Sequence, residues 1–223
     1  MCYGRKTTVE LNKIIMKQLF FITITLITFF SCKAQQPIIP LYNGVDLYET
    51  ENAYYKDIDG DFTKLVATWE YSNDNEIFKI ILKKKSFYLY EEDNDISFYE
   101  DILYGEFKYV DSNGTEVINT VNDIDNFNDI SQHLIYGGYI KDKYSKPFCD
   151  DCLENERRVE VSVKDPLRSY FNYEMEIRHI PAQLGNPEQI KIKIKLSDMS
   201  IVPEGQPDDD RIPTHQEIIL TKQ

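Results

Sequence analysis

Ile190-Lys191-Ile192-Lys193-Ile194-Lys195-Leu196 decides the fold of this chain. Every second side chain is apolar, and each one between is lysine. Successive side chains of an extended strand point to opposite faces, so this pattern buries one face and leaves the other in water. Two earlier segments repeat it. Tyr173, Met175 and Ile177 alternate with Glu174, Glu176 and Arg178. Val159, Val161 and Val163 alternate with Arg158, Glu160, Ser162 and Lys164. Leu184-Gly185-Asn186-Pro187 supplies the turn between the last two strands.

The same reading extends in both directions. Leu65-Val66-Ala67-Thr68-Trp69-Glu70-Tyr71 is rich in β-formers, and the turn cluster Ser72-Asn73-Asp74-Asn75 follows it. Residues 77–82 and 86–90 read as two further strands. Residues 102–110 and 115–120 flank Asn113-Gly114, the dipeptide that most favours a hairpin because both residues accept positive φ. Residues 121–130 read as a loop or short helix. Residues 133–140 read as a strand interrupted by Gly137-Gly138, a bulge signal. Residues 203–213, with Asp208-Asp209-Asp210, read as a solvated loop, and 216–221 as the final strand. About 8–10 strands with short turns and no strong helix make an all-β antiparallel meander. Closure into a barrel removes its open edges; a β-sandwich is the alternative. Trp69, in the first strong strand, is the expected core anchor. No repeat and no second domain interrupts 64–223.

Ahead of the meander, Lys13 and Lys17 precede an apolar run of twelve residues, 19–30, three of them threonine. A membrane-spanning helix needs roughly 20 apolar residues. A basic flank and a short apolar core make a secretory signal instead. The run ends at Ser31-Cys32, which resembles the lipobox of bacterial lipoproteins, with Phe30 where that pattern carries a small residue. Ser-Cys-Lys-Ala-Gln at 31–35 resembles small lipoproteins of Bacteroidetes-type bacteria. The resemblance implies diacylation of the Cys32 sulfur and cleavage before it. An ordinary signal peptide and a buried core helix are the competing readings. Met16 would open a compact signal, leaving 1–15 as an upstream extension. The division is then 1–31 signal, 32–63 lipidated cysteine with tether and irregular chain, and 64–223 the β domain. Leu65 followed by Thr68-Trp69 also looks like the Leu-x-Gly-Thr-Trp strand of uncharacterised Bacteroidetes lipoproteins with lipocalin-like barrels; Ala67 stands in place of the glycine. That resemblance implies a lipocalin-like barrel and an envelope location, either outer-membrane or periplasm-facing, and no activity.

The whole chain carries a net charge of −13. Residues 1–31 hold Arg5, Lys6, Lys13, Lys17 and Glu10, so losing them leaves about −16. Such a surface repels phosphate backbones and anionic head groups. Nucleic acid is therefore no expected partner, and the membrane would be held through the lipid, since two acyl chains suffice. Cys149 and Cys152 remain as an even pair, read as a disulfide pinning a turn. A redox motif would need a following helix and depressed thiol pKa values, which Asp150 and Asp151 oppose. A zinc site would need two more ligands. Asp57-Ile58-Asp59-Gly60-Asp61 hints at calcium but puts glycine fourth and Thr68 twelfth, against the EF-hand spacing, and reads as a solvated turn. His133, His179 and His215 lie far apart, and none has a metal spacing. No catalytic residue, metal or cofactor is assigned. The sixteen tyrosines read mainly as sheet-face residues with their hydroxyls in water.

Two functions remain. One is a lipid-anchored barrel binding a small apolar ligand or glycan at its mouth. The other is an envelope interaction protein with a packed barrel, its acidic, aromatic loops (43–60, 91–101, 121–130, 144–156) suited to a basic protein partner. A hydrolase ranks third.

Overall fold

A computed structural model describes residues 13, 15–20, 36–42, 44, 48–91, 96–197, 200–214 and 216–223. Residues 1–36 and 37–223 form separate units, and the strands all lie in the second. In chain order they are β1 (Ile38–Pro40), β2 (Tyr54–Lys56), β3 (Thr68–Asn73), β4 (Glu76–Tyr90), β5 (Phe98–Val110), β6 (Glu116–Asn119), β7 (Ile135–Lys141), β8 (Arg158–Lys164), β9 (Asn172–Ile180), β10 (Gln189–Leu196) and β11 (Glu217–Lys222). Eight of them, β3, β4, β5 and β7 to β11, form a closed antiparallel barrel. The ring closes where Thr221 and Lys222 of β11 face Glu70 and Trp69 of β3.

The alternation read from sequence sorts the side chains. Val159, Val161 and Val163, then Tyr173, Met175 and Ile177, then Ile190, Ile192 and Ile194 are all buried. Ile218 and Leu220 of β11, Trp69 of β3, and Phe78, Ile80 and Leu82 of β4 continue the interior. Each such side chain contributes about 1.5–3 kcal/mol when withdrawn from water. Large side chains therefore occupy the inside of the barrel.

Both ends are stoppered. At the end where β3 begins, Phe62 and Leu65 are fully buried, and the Trp69 indole N–H donates to the Leu65 carbonyl at 2.8 Å. A methyl group at Gly138 would overlap the Phe62 ring, so the β7 backbone must come this close for the plug to seat. At the opposite end Arg211 donates to buried Asp165 at 2.7 Å and to the Val117 carbonyl at 2.6 Å, with Ile212 buried beside it in sequence.

Four sequence readings change. The stretch 32–63 contains β1 and β2, and Ala53, Tyr55 and Phe62 within it are fully buried, so the barrel's compact unit starts at Pro37. Single aromatic anchors without periodicity leave no strand signature, which is why the segment looked irregular. The two strands expected over 77–82 and 86–90 are one, β4, with a register shift between Lys85 and Tyr88. Within it Lys84 sends its ammonium to Asp57 and Asp101. The Asp57 turn is buried rather than solvated. Asp57 accepts from the Asp61 and Phe62 amides at 2.7 and 3.0 Å, while Lys64 and Arg157 pair with Asp61. Within the 203–213 loop, Ile212 is buried.

β5 has the most varied company. One edge pairs with β4 throughout. The other edge meets three strands in turn: β2, in parallel, at Tyr99 and Glu100; β7 at Leu103 to Gly105; β6 at Lys108 to Val110. The hairpin to β6 turns on Gly114 at φ 81°, with Asp111 accepting from the amides of Asn113 and Thr115.

Candidate functional site

Pairing in register puts Asp101, Leu103 and Phe107 of β5 on the inward face and Phe98, Glu100 and Ile102 on the outward one. β4 presents Tyr88 opposite Glu100 and Tyr90 opposite Phe98. β7 bulges at Gly137 and Gly138, between Tyr136 and Tyr139, the position expected from sequence. A bulge re-aims the flanking side chains, and here both tyrosines stand outside the barrel wall. Tyr48, at φ 63°, packs its ring 5.0 Å from Tyr55 and 5.1 Å from Phe98. Tyr90 stacks on Phe98 at 5.0 Å.

Between these groups lies an open-sided cavity of about 550 Å³ on the outer wall. Tyr48, Tyr90, Phe98 and Ile102 form one side, Tyr136, Gly137, Gly138 and Tyr139 the other, and Ile96 the rim. Among the described residues, Glu100 is the one carboxylate in the lining. Burial pushes its carboxyl up to about 7, the neighbouring Asp101 charge adds to the rise, and a hydrogen bond from the Tyr48 hydroxyl partly offsets it. Burial likewise raises the phenols of Tyr48 and Tyr136. The cavity thus offers aromatic faces, phenolic hydroxyls and one carboxyl that gains or loses its proton near neutrality. An apolar cavity with few convergent polar groups and a perturbed ionisable residue has the character of a binding site.

The residues singled out from sequence fall elsewhere. Trp69 is fully buried in the barrel interior. Cys149 and Cys152 are joined as a disulfide with their Cα atoms 5.4 Å apart. Their sulfurs and Asp151 form the one metal-like grouping among the described residues, but bonded sulfurs leave no thiolate to ligate. Asp151 is engaged by Arg178 at 2.7 Å and Lys191 at 3.2 Å, and the Arg178 hydrogen bond first of all lowers its carboxyl to about 2. This loop borders a second, charged cavity of about 640 Å³ over the outer faces of β8, β9 and β10. Cys32 and His215 lie outside the described residues. His133 pairs with buried Glu106 at 2.7 Å, and His179 with Glu188 at 2.7 Å; neither lines the tyrosine cavity.

Sequence reasoning missed Glu100 and the four tyrosines around it. Tyr136-Gly137-Gly138-Tyr139 held the usable signal: two aromatics astride a bulge cannot both stay in the sheet's normal alternation. Two loops named for function, 43–60 and 91–101, do contribute Tyr48, Ile96, Phe98 and Glu100.

No curated protein and no solved structure matches the chain. The DUF6705 family, a family of unknown function, matches residues 16–223, nearly the whole length, and the chain belongs to it.

Proposed function

We propose that this is a non-catalytic binding protein of the cell envelope, anchored through a lipid on Cys32, which holds a small ligand with an apolar face in the tyrosine cavity of its outer wall. One observation carries the reading. The barrel interior is occupied by large side chains and stoppered at both ends, whereas the aromatic cavity outside it stands open. Flat apolar faces, whether of a hydrocarbon or of a sugar ring, are what exposed tyrosine rings receive. Binding fits better than hydrolysis, because among the described residues the lining holds a single carboxyl. Carboxylate-pair catalysis uses two, about 5–9.5 Å apart, and Asp101, the next carboxyl along β5, turns to the inward face, where Lys84 and Tyr54 engage it.

Equilibrium titration of the full chain with fatty acids, envelope oligosaccharides and simple ring solutes is the test. At least one class should bind, and Tyr136→Ala should weaken it on the order of tenfold, the worth of one aromatic contact, without moving the unfolding midpoint. Turnover of a generic hydrolase substrate that is lost in Glu100→Gln would reverse the conclusion.

Anchoring has its own test. Support comes from the short apolar run ending at Ser31-Cys32. Cys32→Ala is expected to move the protein from the membrane fraction to the soluble one, and mass spectrometry of the wild type should find a diacylated N-terminal cysteine. Unchanged membrane association of the variant would defeat the lipid assignment.

A further inference from the structure

Most cationic side chains of the barrel are already committed. Lys64, Lys84, Lys141, Lys191, Arg158 and Arg178 each face a carboxylate. Glu100 is a carboxylate with no such partner among the described residues. It lines an aromatic cavity, half-buried, and among the described residues it forms no ion pair with a lysine, arginine or histidine; its polar neighbours include the Tyr48 hydroxyl and Asp101. Removing a carboxylate from water without a cation is costly, so a carboxylate kept this way is a vacancy for a positive charge. The surrounding faces suit the same guest. Tyr48, Tyr90, Tyr136 and Tyr139 come from three separate parts of the chain and converge on one space. Aromatic faces attract a cation electrostatically, and most strongly where water is excluded. Neutral ring stacking would account for the tyrosines but gives no reason for a half-buried carboxyl among them.

We propose that the tyrosine cavity recognises an organic cation, an alkylammonium group seated among Tyr48, Tyr90, Tyr136 and Tyr139 with Glu100 as its counter-charge. The inference rests on the binding function proposed above and adds the charge of the ligand. A diffuse, weakly hydrated ammonium fits better than a metal ion, since the lining provides one carboxylate and aromatic carbon rather than a shell of oxygen ligands. The net charge of −13 favours the approach of such a cation.

The pH dependence has a fixed sign. Only the ionised carboxyl attracts a cation, and burial has raised the Glu100 carboxyl to about 7. Among the described residues, the other titratable groups facing it are tyrosines and Asp101. Tyr48 from the segment before β2, Tyr88 from β4 and Tyr136 from β7 all have phenols raised above their ordinary range. Tyr55 of β2, in register with Glu100, Tyr90 of β4 and Tyr139 of β7 bring phenols too. Asp101 is held below the usual range by Tyr54 and Lys84 against the pull of its own burial. Cation affinity should therefore fall with acid, on the order of tenfold from pH 8 to pH 6.

Calorimetric titration of the full chain with choline and with its uncharged isostere 3,3-dimethylbutan-1-ol tests this. Choline should bind the wild type at least tenfold more tightly at pH 8, and lose that advantage at pH 6 and in Glu100→Gln. The pH series needs no variant and stands even if Glu100→Gln folds poorly. Equal affinity for the two compounds at pH 8, or choline binding indifferent to both pH and Glu100→Gln, would overturn the cation assignment while leaving an apolar-ligand cavity intact. Failure of both compounds to bind, while fatty acids or oligosaccharides do, would also overturn it. Failure of every compound would remove the cavity reading as well.

Discussion

Trp69→Ala is expected to destabilise the barrel by about 3–5 kcal/mol, the range for truncating a buried tryptophan. Three contributions act together. The indole fills the interior at the barrel end where β3 begins, with no exposed surface. Its N–H satisfies the Leu65 carbonyl at 2.8 Å, so it ties the plug segment to the wall. The Lys222 ammonium lies 5.6 Å from the ring centroid, over the last residue pair that closes the ring. A domain of this size has roughly 5–15 kcal/mol in hand, and the loss should lower Tm by roughly 6–20 °C. Trp69→Phe separates the parts: it keeps an aromatic ring but strands the Leu65 carbonyl, costing about 1–3 kcal/mol. Unfolding should be followed by circular dichroism, because the chain has no second tryptophan to report by fluorescence. A cost below about 1 kcal/mol for Trp69→Ala would mean that this end of the barrel is not closed as described.

Arg158→Ala should do comparable damage by a different route. Arg158 is an outward residue of β8, yet it is fully buried under the loop that carries the disulfide. Its guanidinium donates to the carbonyls of Asp142, Ser145 and Pro147 at 2.7, 2.9 and 3.0 Å, and to Glu176 at 2.7 Å. Truncation leaves three carbonyls and one carboxylate without their donor. Breaking such a buried charged pair from one side costs about 3–5 kcal/mol. Arg158→Lys should recover little, because one ammonium cannot reproduce a planar fork reaching four acceptors. Limited proteolysis supplies the local readout: the variant should be cleaved within 142–156 well below its global Tm, while the wild type resists there. Equal resistance in both would show that the loop is held by other contacts.

The strands were legible wherever one face is wet. Lysine against isoleucine along β10, and glutamate against tyrosine and methionine along β9, left one answer for each side chain. The Asn113-Gly114 hairpin and the Gly137-Gly138 bulge were legible because backbone geometry restricts which residues fit. β2 and the Asp57 turn were not. Tyr55 and Asp57 meet partners distant in the chain, Glu100 in register and Lys84, 27 residues on, by charge, and local sequence carries no trace of either. The cavity was hidden for a related reason. Glu100 looks like any outward strand carboxylate until Tyr48, Tyr90, Tyr136 and Tyr139 arrive around it from separate strands and loops. Its chemistry belongs to the assembly of those segments.

The closing pair of the ring joins Thr221 to Glu70. Contacts between residues so far apart in the chain form slowly, because loop-closure entropy must be overcome first. Until β11 pairs, the facing edges of β3 and β10 both stay open, and open edges recruit other strands. An unclosed sheet precedes the barrel, a state at risk of aggregation if it lingers. The final turn of assembly, far more than the interior packing, sets how long that exposure lasts.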